Sequence, residues 1–222
     1  MKNLFGYICC ALCLLLVTGC ATTAPYDYSN LIKSNPKSIL VIMPESTATD
    51  VKAEPAVLSA VAQPLSEKGY YVLPVTLVND TFRYNGIYNS HDIRQISFGK
   101  LYEIFGADAL LDISIDDYSN HYQLIDSVFV VKVTARLYDL KTGTLLWTET
   151  KESSNESESS DNLVGSLVGS LFKMAANNLL DVGYDLAKEN AYSLYYSEYG
   201  TSPLLYGPYS KYYRTDEVLK SK

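Results

Sequence analysis

The middle of the chain alternates between apolar and polar positions. The alternation covers residues 111–116 and again 129–137. A period of two is that of a β-strand with one buried face. Residues 139–143 (DLKTG) have turn composition, and residues 144–150 follow as a third strand. The pattern therefore predicts three consecutive strands, the last two joined by a hairpin turn.

The amino-terminal half has continuous apolar runs instead. The runs at residues 38–43 (SILVIM) and 70–75 (YYVLPV) predict short buried strands. Between them, residues 50–68 have the pattern of a helix. Gly69 is its predicted end, and Pro64 predicts a kink or an earlier end.

Two further helices are predicted, separated from their neighbours by polar segments. Residues 92–105 place their apolar side chains roughly on one helical face, and residues 163–188 are unusually apolar for a helix. The polar aromatic segment 76–91 and the acidic, serine-rich segment 149–161 are predicted loops. Residues 191–222 form a tyrosine-rich tail with no clear period.

The predicted order is β-α-β-α-β-β-β-α. Early alternation of strand and helix followed by a run of strands indicates an α/β fold, in which helices flank a mixed sheet. The predicted domain covers residues 38–190, and the tail covers residues 191–222.

The first 20 residues have the layout of a secretory signal peptide. Lys2 gives the positive start, residues 8–17 are apolar, and small residues lead to Gly19 and Cys20. The apolar run is too short to span a bilayer, which takes about 20 apolar residues. The ending resembles a bacterial lipobox, which predicts a signal peptide over residues 1–19 and cleavage between Gly19 and Cys20. Cys20 would then carry a diacylglycerol and an N-acyl chain, and no other cofactor is expected.

The residues after the cleavage site set the expected location. Ala21 replaces the aspartate that retains lipoproteins at the inner membrane, which favours the outer membrane with the domain facing the periplasm. Residues 20–37 are predicted to be a lipidated tether, whose 17 residues after Cys20 reach at most about 60 Å.

Composition removes several classes of function. All four cysteines (Cys9, Cys10, Cys13 and Cys20) lie within the signal region, so the expected mature domain has no disulfide and no cysteine-bound zinc. A net charge of −7 without a basic cluster argues against nucleic-acid binding. The chain has 20 tyrosines, a residue type that suits interfaces and wet surfaces.

Several of these segments resemble one bacterial family. The lipobox is followed by SILVIMPESTATDVKAEP, GYYVLPV, FGADALLDISIDDYSNHYQLIDS and ARLYDLKTGTLLW. Together they resemble the lipoprotein family catalogued as domain of unknown function 799, which includes a neisserial vaccine-candidate lipoprotein. The resemblance covers about residues 15–210, and its most specific parts are residues 106–109 and 137–147.

The family resemblance implies a fold similar to the TolB amino-terminal domain and to the periplasmic domain of CsgG. It also implies a non-enzymatic envelope accessory protein, a homodimer, and a CsgG-like lipoprotein as partner. It supplies no catalytic or ligand residue.

Three short motifs point to a different class of protein. Residues 97–100 fit S-x-x-K, residues 160–162 fit S-D-N, and residues 141–143 fit K-T-G, the signature of penicillin-binding serine enzymes. K-T-G precedes S-D-N here, which is the wrong order. A serine hydrolase based on Ser97 is therefore kept as an alternative of another class.

The sequence gives little support for a metal site. His91 and His121 are 30 residues apart, and the acidic residues near His121 are typical of a solvated strand face. No metal site is predicted.

The apolar segment 163–182 is the first interface candidate. Gly165 and Gly169 are four residues apart, which lets another backbone approach, and Leu167 and Leu171 lie beside them. Three interpretations remain open: a core helix, a dimer or partner interface, or a membrane-surface helix.

The tyrosine-rich tail is the second interface candidate. Tyr195 and Tyr196 either pack across the domain or form an exposed docking strip for a protein or a glycan. The sequence as a whole predicts an accessory subunit of an envelope assembly or transport complex. The alternative is a regulator that reaches a peptidoglycan synthase through a long tether.

Overall fold

The fold was analysed in a computed structural model, which describes residues 26–122, 127–155, 182–196 and 202–219. Helices and strands alternate through the first half of the chain, and antiparallel strands follow. The helices are α1 Ser29–Ser34, α2 Ala53–Glu67, α3 Val75–Tyr84, α4 Ser90–Arg94, α5 Phe98–Phe105 and α6 Val182–Tyr196, with a 3₁₀ turn at Glu217–Leu219. The strands are β1 Ser38–Val41, β2 Glu45–Ser46, β3 Tyr71–Val72, β4 Ala109–Tyr122, β5 Ser127–Asp139 and β6 Leu145–Ser154.

The strands form one open mixed sheet in the order β3-β1-β4-β5-β6, with β2 also paired to β4. β1 is parallel to β3 and to β4, whereas β4, β5 and β6 are antiparallel. Short β1 is central and apolar because helices cover both of its faces. The predicted α/β class and mixed sheet are confirmed.

The two faces of the sheet have separate apolar cores. Successive residues of β1 point to opposite sides, so Ile39 and Val41 join one core and Leu40 and Ile42 the other. The larger core is covered by α2, α6 and the two terminal segments of the described chain. The smaller core is covered by α3, α4 and α5.

The loop predicted for residues 76–91 is wrong. Val75 to Tyr84 form α3, whose Val78 and Phe82 are buried in the smaller core. The segment has few apolar residues, but this pair is spaced i, i+4 and therefore lies on one helical face. Tertiary burial of that face stabilises a helix that the composition did not indicate.

The single helix predicted over residues 92–105 is two helices. Ser97 has extended backbone angles, and its hydroxyl accepts a hydrogen bond from the N–H of Lys100, which starts α5. Gly106, in the left-handed conformation, ends α5 as predicted. The expectation that Ser97 lies inside a helix is therefore wrong, because Ser97 is an N-cap.

Residues 26–37 are not part of a tether. α1 occupies half of this range, and both Tyr28 and Leu31 are buried in the larger core. The Tyr26 and Tyr28 rings are in contact, with centroids 4.8 Å apart. The domain therefore begins at least as early as Tyr26.

The last predicted strand and the last predicted helix both end later in the chain than the sequence indicated. β6 continues to Ser154, into the predicted loop, and α6 continues to Tyr196, into the predicted tail. Residues 204 and 205 belong to the larger core, so the tail is part of the domain. In the described part of the chain, no helix is long and apolar enough to cross a membrane.

Candidate functional site

The candidate site lies around residues 202–219, an irregular segment that crosses the larger core at residues 204 and 205 and then continues through turns. Buried aromatic side chains donate hydrogen bonds to the carbonyl oxygens of this segment. These bonds join Trp147 Nε1 to Ser202 O (2.6 Å), Tyr28 Oη to Pro203 O (2.7 Å) and Tyr70 Oη to Leu205 O (2.9 Å). Each bond satisfies a polar tip that burial would otherwise leave unpaired.

Two glycines let the segment approach the end of α2. The N–H of Gly207 donates to the carbonyl of Lys68 (2.8 Å), and the N–H of Tyr209 donates to Gly69 (3.0 Å). A Cβ atom at Gly207 would collide with the Gly69 carbonyl. Gly69 itself has φ 91°, which favours glycine.

Lys68 lies between two tyrosine rings at this crossing. Its ammonium is 4.1 Å from the Tyr206 ring centroid and 4.4 Å from that of Tyr196, and the residue is 4% exposed. Cation–π contact stabilises the charge. Burial nevertheless lowers the pKa of Lys68 to about 8, against the opposing attraction of Asp216.

The two tyrosines proposed as a docking strip differ in position. Tyr195 is fully buried against Trp147, with ring centroids 6.0 Å apart, which fits packing across the domain and not an exposed strip. Its hydroxyl has no hydrogen-bond partner among the described residues. Tyr196 is half-buried between Lys68 and the stacked ring of Tyr192.

A cavity of about 240 Å³ opens between α1 and this segment. Its walls are mainly apolar and aromatic, with three polar side chains among them. The lining residues are Leu31, Ile32, Asn35, Pro36, Tyr70, Leu205, Tyr206, Pro208, Tyr213, Arg214, Asp216 and Leu219.

The three polar residues of the cavity make different contacts. Asp216 accepts the backbone N–H of Tyr206 at 3.2 Å, and burial raises the pKa of its carboxyl. Asn35 accepts the Tyr213 hydroxyl at 2.7 Å. Arg214 is exposed, and its guanidinium stacks 5.0 Å from the Tyr213 centroid.

A second crevice lies beyond the carboxyl end of β1, where Leu110 and Asp112 of β4 line it. Ligands of open α/β folds commonly bind outside the carboxyl ends of the strands. Arg94 fills it, donating to Asp112 Oδ1 (2.6 Å) and to the carbonyls of Met43, Ser90 and Ile113. Arg94 Nε is 3.6 Å from Glu45 and has no hydrogen-bond partner among the described residues. The terminal nitrogens of Arg94 are therefore used inside the protein.

The residues of the serine-hydrolase alternative do not assemble. Ser97 caps α5, while Lys100 pairs with Glu103 at 3.1 Å. Residues 141–143 form the turn between β5 and β6, and residues 160–162 lie outside the described chain. On strand β4, both Ser119 and Asp117 contact the same nitrogen of His121, so the imidazole does not lie between them as a catalytic relay requires.

The residues weighed for a metal are likewise engaged elsewhere. Asp112 binds Arg94, Asp116 accepts from Thr134 at 2.6 Å, and Asp117 pairs with His121 at 2.6 Å. Within the described ranges, no three acidic, histidine or cysteine side chains are grouped to hold an ion.

The remaining predicted site residues lie outside the described ranges. They are Gly19, Cys20, Gly165, Leu167, Gly169 and Leu171. Lys68, Arg214 and Asp216 went unnoticed in the sequence because no motif joins them. Their proximity depends on the carboxyl-terminal segment returning to α1 and α2.

This fold is that of a bacterial lipoprotein family. The family model described as Putative lipoprotein GNA1162-like matches residues 26–209, so the chain belongs to that family, and the resemblance seen in the sequence is confirmed. The Putative lipoprotein NMB1124/NMB1162 of Neisseria meningitidis serogroup B is 42% identical over 186 residues, which are 82% of this chain and 85% of the relative.

A solved structure of a family member agrees with this assignment. The crystal structure of lipoprotein GNA1162 from Neisseria meningitidis is 40% identical with a TM-score of 0.53, covering 64% of this chain and 99% of that one. A PelC dodecamer from Paraburkholderia phytofirmans is 16% identical with a TM-score of 0.42, covering 71% of this chain and 86% of that one.

Proposed function

We propose that this protein is an outer-membrane lipoprotein that faces the periplasm and acts by binding, as a non-enzymatic accessory subunit of an envelope assembly or transport complex. Its anchor is the diacylglycerol and N-acyl lipid on Cys20. Membership in a lipoprotein family and the Gly19–Cys20 motif support the anchor.

One observation carries the proposal further: residues that closely follow the anchor in sequence are already packed into the domain. Tyr28 is 4% exposed, and its hydroxyl bonds to Pro203. The Tyr26 hydroxyl accepts the N–H of Thr148 at 3.0 Å. Residues 21–25 alone then separate the lipid from the domain, and the path from Cys20 to Tyr26 extends to at most about 21 Å.

A tether of only residues 21–25 favours a partner at the membrane surface. A regulator that reaches a distant peptidoglycan synthase needs a longer tether. Residues 26–37 cannot supply that length without withdrawing Tyr28 and Leu31 from the larger core. Short tethering instead raises the effective concentration of the domain beside membrane-bound neighbours.

The partner we propose is a CsgG-like lipoprotein in the same membrane, with this protein present as a homodimer. The apolar segment with Gly165 and Gly169 is the proposed dimer contact. Both partners would then be held at the same height above the bilayer.

The test is crosslinking in intact cells, with adducts identified by mass spectrometry. We compare the wild-type protein with a variant carrying about 20 added Gly/Ser residues between Ala24 and Pro25. A tether lengthened about fivefold lowers the effective concentration, so adducts with the envelope lipoprotein should fall about tenfold. The matched control carries the same insertion after Leu219.

Cys20→Ala should release the protein from the membrane fraction and abolish the adduct. Adducts with a peptidoglycan synthase that rise when the tether is lengthened would favour the regulator instead. Membrane retention of Cys20→Ala would contradict lipid anchoring.

A further inference from the structure

We propose that the cavity between α1 and residues 202–219 binds the end of one acyl chain of an anionic phospholipid from the anchoring membrane. The inference rests on the proposed function, because Cys20 brings the cavity to the bilayer. Its evidence is independent of the anchor: the size of the cavity, its wall chemistry, its charge and its backbone geometry.

The cavity has the size and walls for part of a lipid. Small-molecule sites usually occupy about 300–1,000 Å³, so 240 Å³ admits one end of a larger ligand. That volume holds about eight water-sized groups at roughly 30 Å³ each. Leu31, Ile32, Leu205 and Leu219 make the interior apolar, which favours methylene groups over a sugar or a peptide charge.

The charges near the cavity favour an anionic head group. The exposed cations in or beside its lining are Arg214, Lys33, Lys37 and Lys211. The acids nearby are the exposed Glu217 and three half-buried aspartates: Asp216, which attracts Lys68, Asp108, which accepts the N–H of Lys37, and Asp139, which accepts the Ser34 hydroxyl. The surplus of cations is therefore confined to the exposed charges, and each cation near an anionic surface contributes about 1 kcal/mol.

Backbone geometry marks the same place. Among the described residues, the two non-glycine residues with left-handed φ are Asn35 (48°) and Arg214 (61°), and both line the cavity. Asn35 is the C-cap of α1, where this conformation is common. Arg214 is the third residue of the turn closed by the Thr215 N–H and the Tyr212 carbonyl (3.0 Å), a position where left-handed φ favours glycine or asparagine. An arginine there is strained, and strained residues cluster at ligand-binding sites.

The position of the cavity relative to the anchor completes the argument. Leu31 lies one helical turn after Tyr28, where the short tether joins the domain. Ile32, Tyr209 and Tyr212 are 44%, 67% and 48% exposed in or beside the lining. Tyrosine is enriched where proteins meet the membrane–water interface. The cavity can therefore rest on the head-group layer while Cys20 is anchored.

Photocrosslinking tests the proposal. The full lipidated protein is reconstituted in vesicles of phosphatidylethanolamine and phosphatidylglycerol, in which the phosphatidylglycerol carries a diazirine near the end of one acyl chain. After irradiation, peptide mapping should place the adducts on residues 31–36 and 205–219. Diazirine-bearing phosphatidylcholine in vesicles without phosphatidylglycerol should label these peptides much less.

Two variants test separately whether the charged mouth and the apolar walls of the cavity bind the lipid. Arg214→Glu reverses the charge at the mouth, and Ile32→Glu places a carboxylate in the apolar interior; each should reduce labelling of these peptides about tenfold. Arg83→Glu makes the same charge change as Arg214→Glu at an exposed position of α3, which covers the opposite face of the sheet. Its labelling should equal that of the wild type, and circular dichroism checks that all three variants fold.

Labelling spread over the surface, or unchanged in Arg214→Glu and Ile32→Glu, would overturn the proposal. Failure of the anchor is a separate result: it appears as an unacylated Cys20 in the intact mass and as loss of the protein from membranes. Arg214→Glu should remain in the membrane fraction, because its anchor is intact.

Discussion

Two arginine–aspartate sites on opposite faces of the sheet use their charges in opposite ways. In the crevice beyond the carboxyl end of β1, Arg94 is 16% exposed and its guanidinium bonds to Asp112 and to backbone carbonyls. In the carboxyl-terminal cavity, Arg214 is exposed and its guanidinium stacks on Tyr213. Asp216 bonds to the backbone of Tyr206 rather than to Arg214.

The comparison distinguishes an arginine whose charge stabilises the fold from an arginine whose charge can contact a ligand. Arg94 lies beyond a strand end, where open α/β sheets commonly bind ligands, yet its terminal nitrogens are already bonded inside the protein. Arg214 lies where a sheet fold gives no expectation of a site, and it stands at the mouth of an apolar cavity. Position in a fold therefore indicates a site less reliably than the partners of its polar groups.

The largest expected effect tests the structural role of Arg94. Arg94→Leu leaves the Asp112 carboxylate, 19% exposed, without its partner, and should lower the free energy of unfolding by about 3 kcal/mol or more. Arg214→Leu, at an exposed position, should change it by at most about 0.5 kcal/mol. Urea denaturation of both variants makes the comparison.

A double variant sharpens that result. Adding Asp112→Leu to Arg94→Leu removes the uncompensated carboxylate and should restore part of the stability. Equal losses in Arg94→Leu and Arg214→Leu would mean that the two arginines do not differ in role.

An intermediate effect concerns Lys68, which is buried like Arg94 but has aromatic neighbours instead of a bonded carboxylate. Its pKa is lowered to about 8 in the folded protein, below the usual value near 10.4, so between these values the unfolded chain binds more protons. Lys68 should therefore raise stability by about 2 kcal/mol from pH 8 to pH 10, relative to a variant without it. The buried tyrosines Tyr28, Tyr70 and Tyr195, whose pKa values burial raises, oppose this rise near pH 10 in every variant.

Urea denaturation at several pH values measures that rise. Lys68→Met should remove it, because the titrating group is gone. Lys188→Met, at an exposed lysine 4.6 Å from the Tyr184 ring, is the matched control and should keep it. A rise that survives in Lys68→Met would assign the pH dependence to other groups.

The smallest expected effect tests strain at the cavity mouth. Arg214→Gly relieves the left-handed conformation and should raise the free energy of unfolding by about 0.5–1 kcal/mol. The same change at Arg83, inside α3, should lower it by about 1 kcal/mol. If Arg214→Gly gains stability and loses lipid labelling together, the strain is linked to binding, whereas a loss of stability would show that Arg214 is not strained.

The strands and helices that are strongly patterned were predictable. The alternation at 111–116 appears as β4, and the runs at 38–43 and 70–75 appear as β1 and β3. The misassigned segments share another property: their apolar residues are few or aromatic. α3 buries Val78 and Phe82 from a mostly polar segment, and residues 26–37 bury Tyr28 and Leu31 from what has the composition of a linker.

The candidate cavity was not predictable, although the carboxyl-terminal segment was singled out for its tyrosines. Tyr195 and Tyr196 are adjacent in sequence, yet one is buried against Trp147 and the other borders Lys68. Arg214 meets Asn35 and Ile32 around the cavity across almost the whole length of the chain. A local pattern contains no information about such a meeting.

The sequence by itself predicted an export signal and determined the family and the class of fold, because these depend on short motifs and on local hydrophobic periodicity. The tertiary structure decided which charges are used internally and which remain available, and that the chain is already buried in the larger core at Tyr28. Those properties depend on which distant backbones approach one another. Here Gly207 against Gly69 and Tyr28 against Pro203 bring both ends of the described chain onto one core.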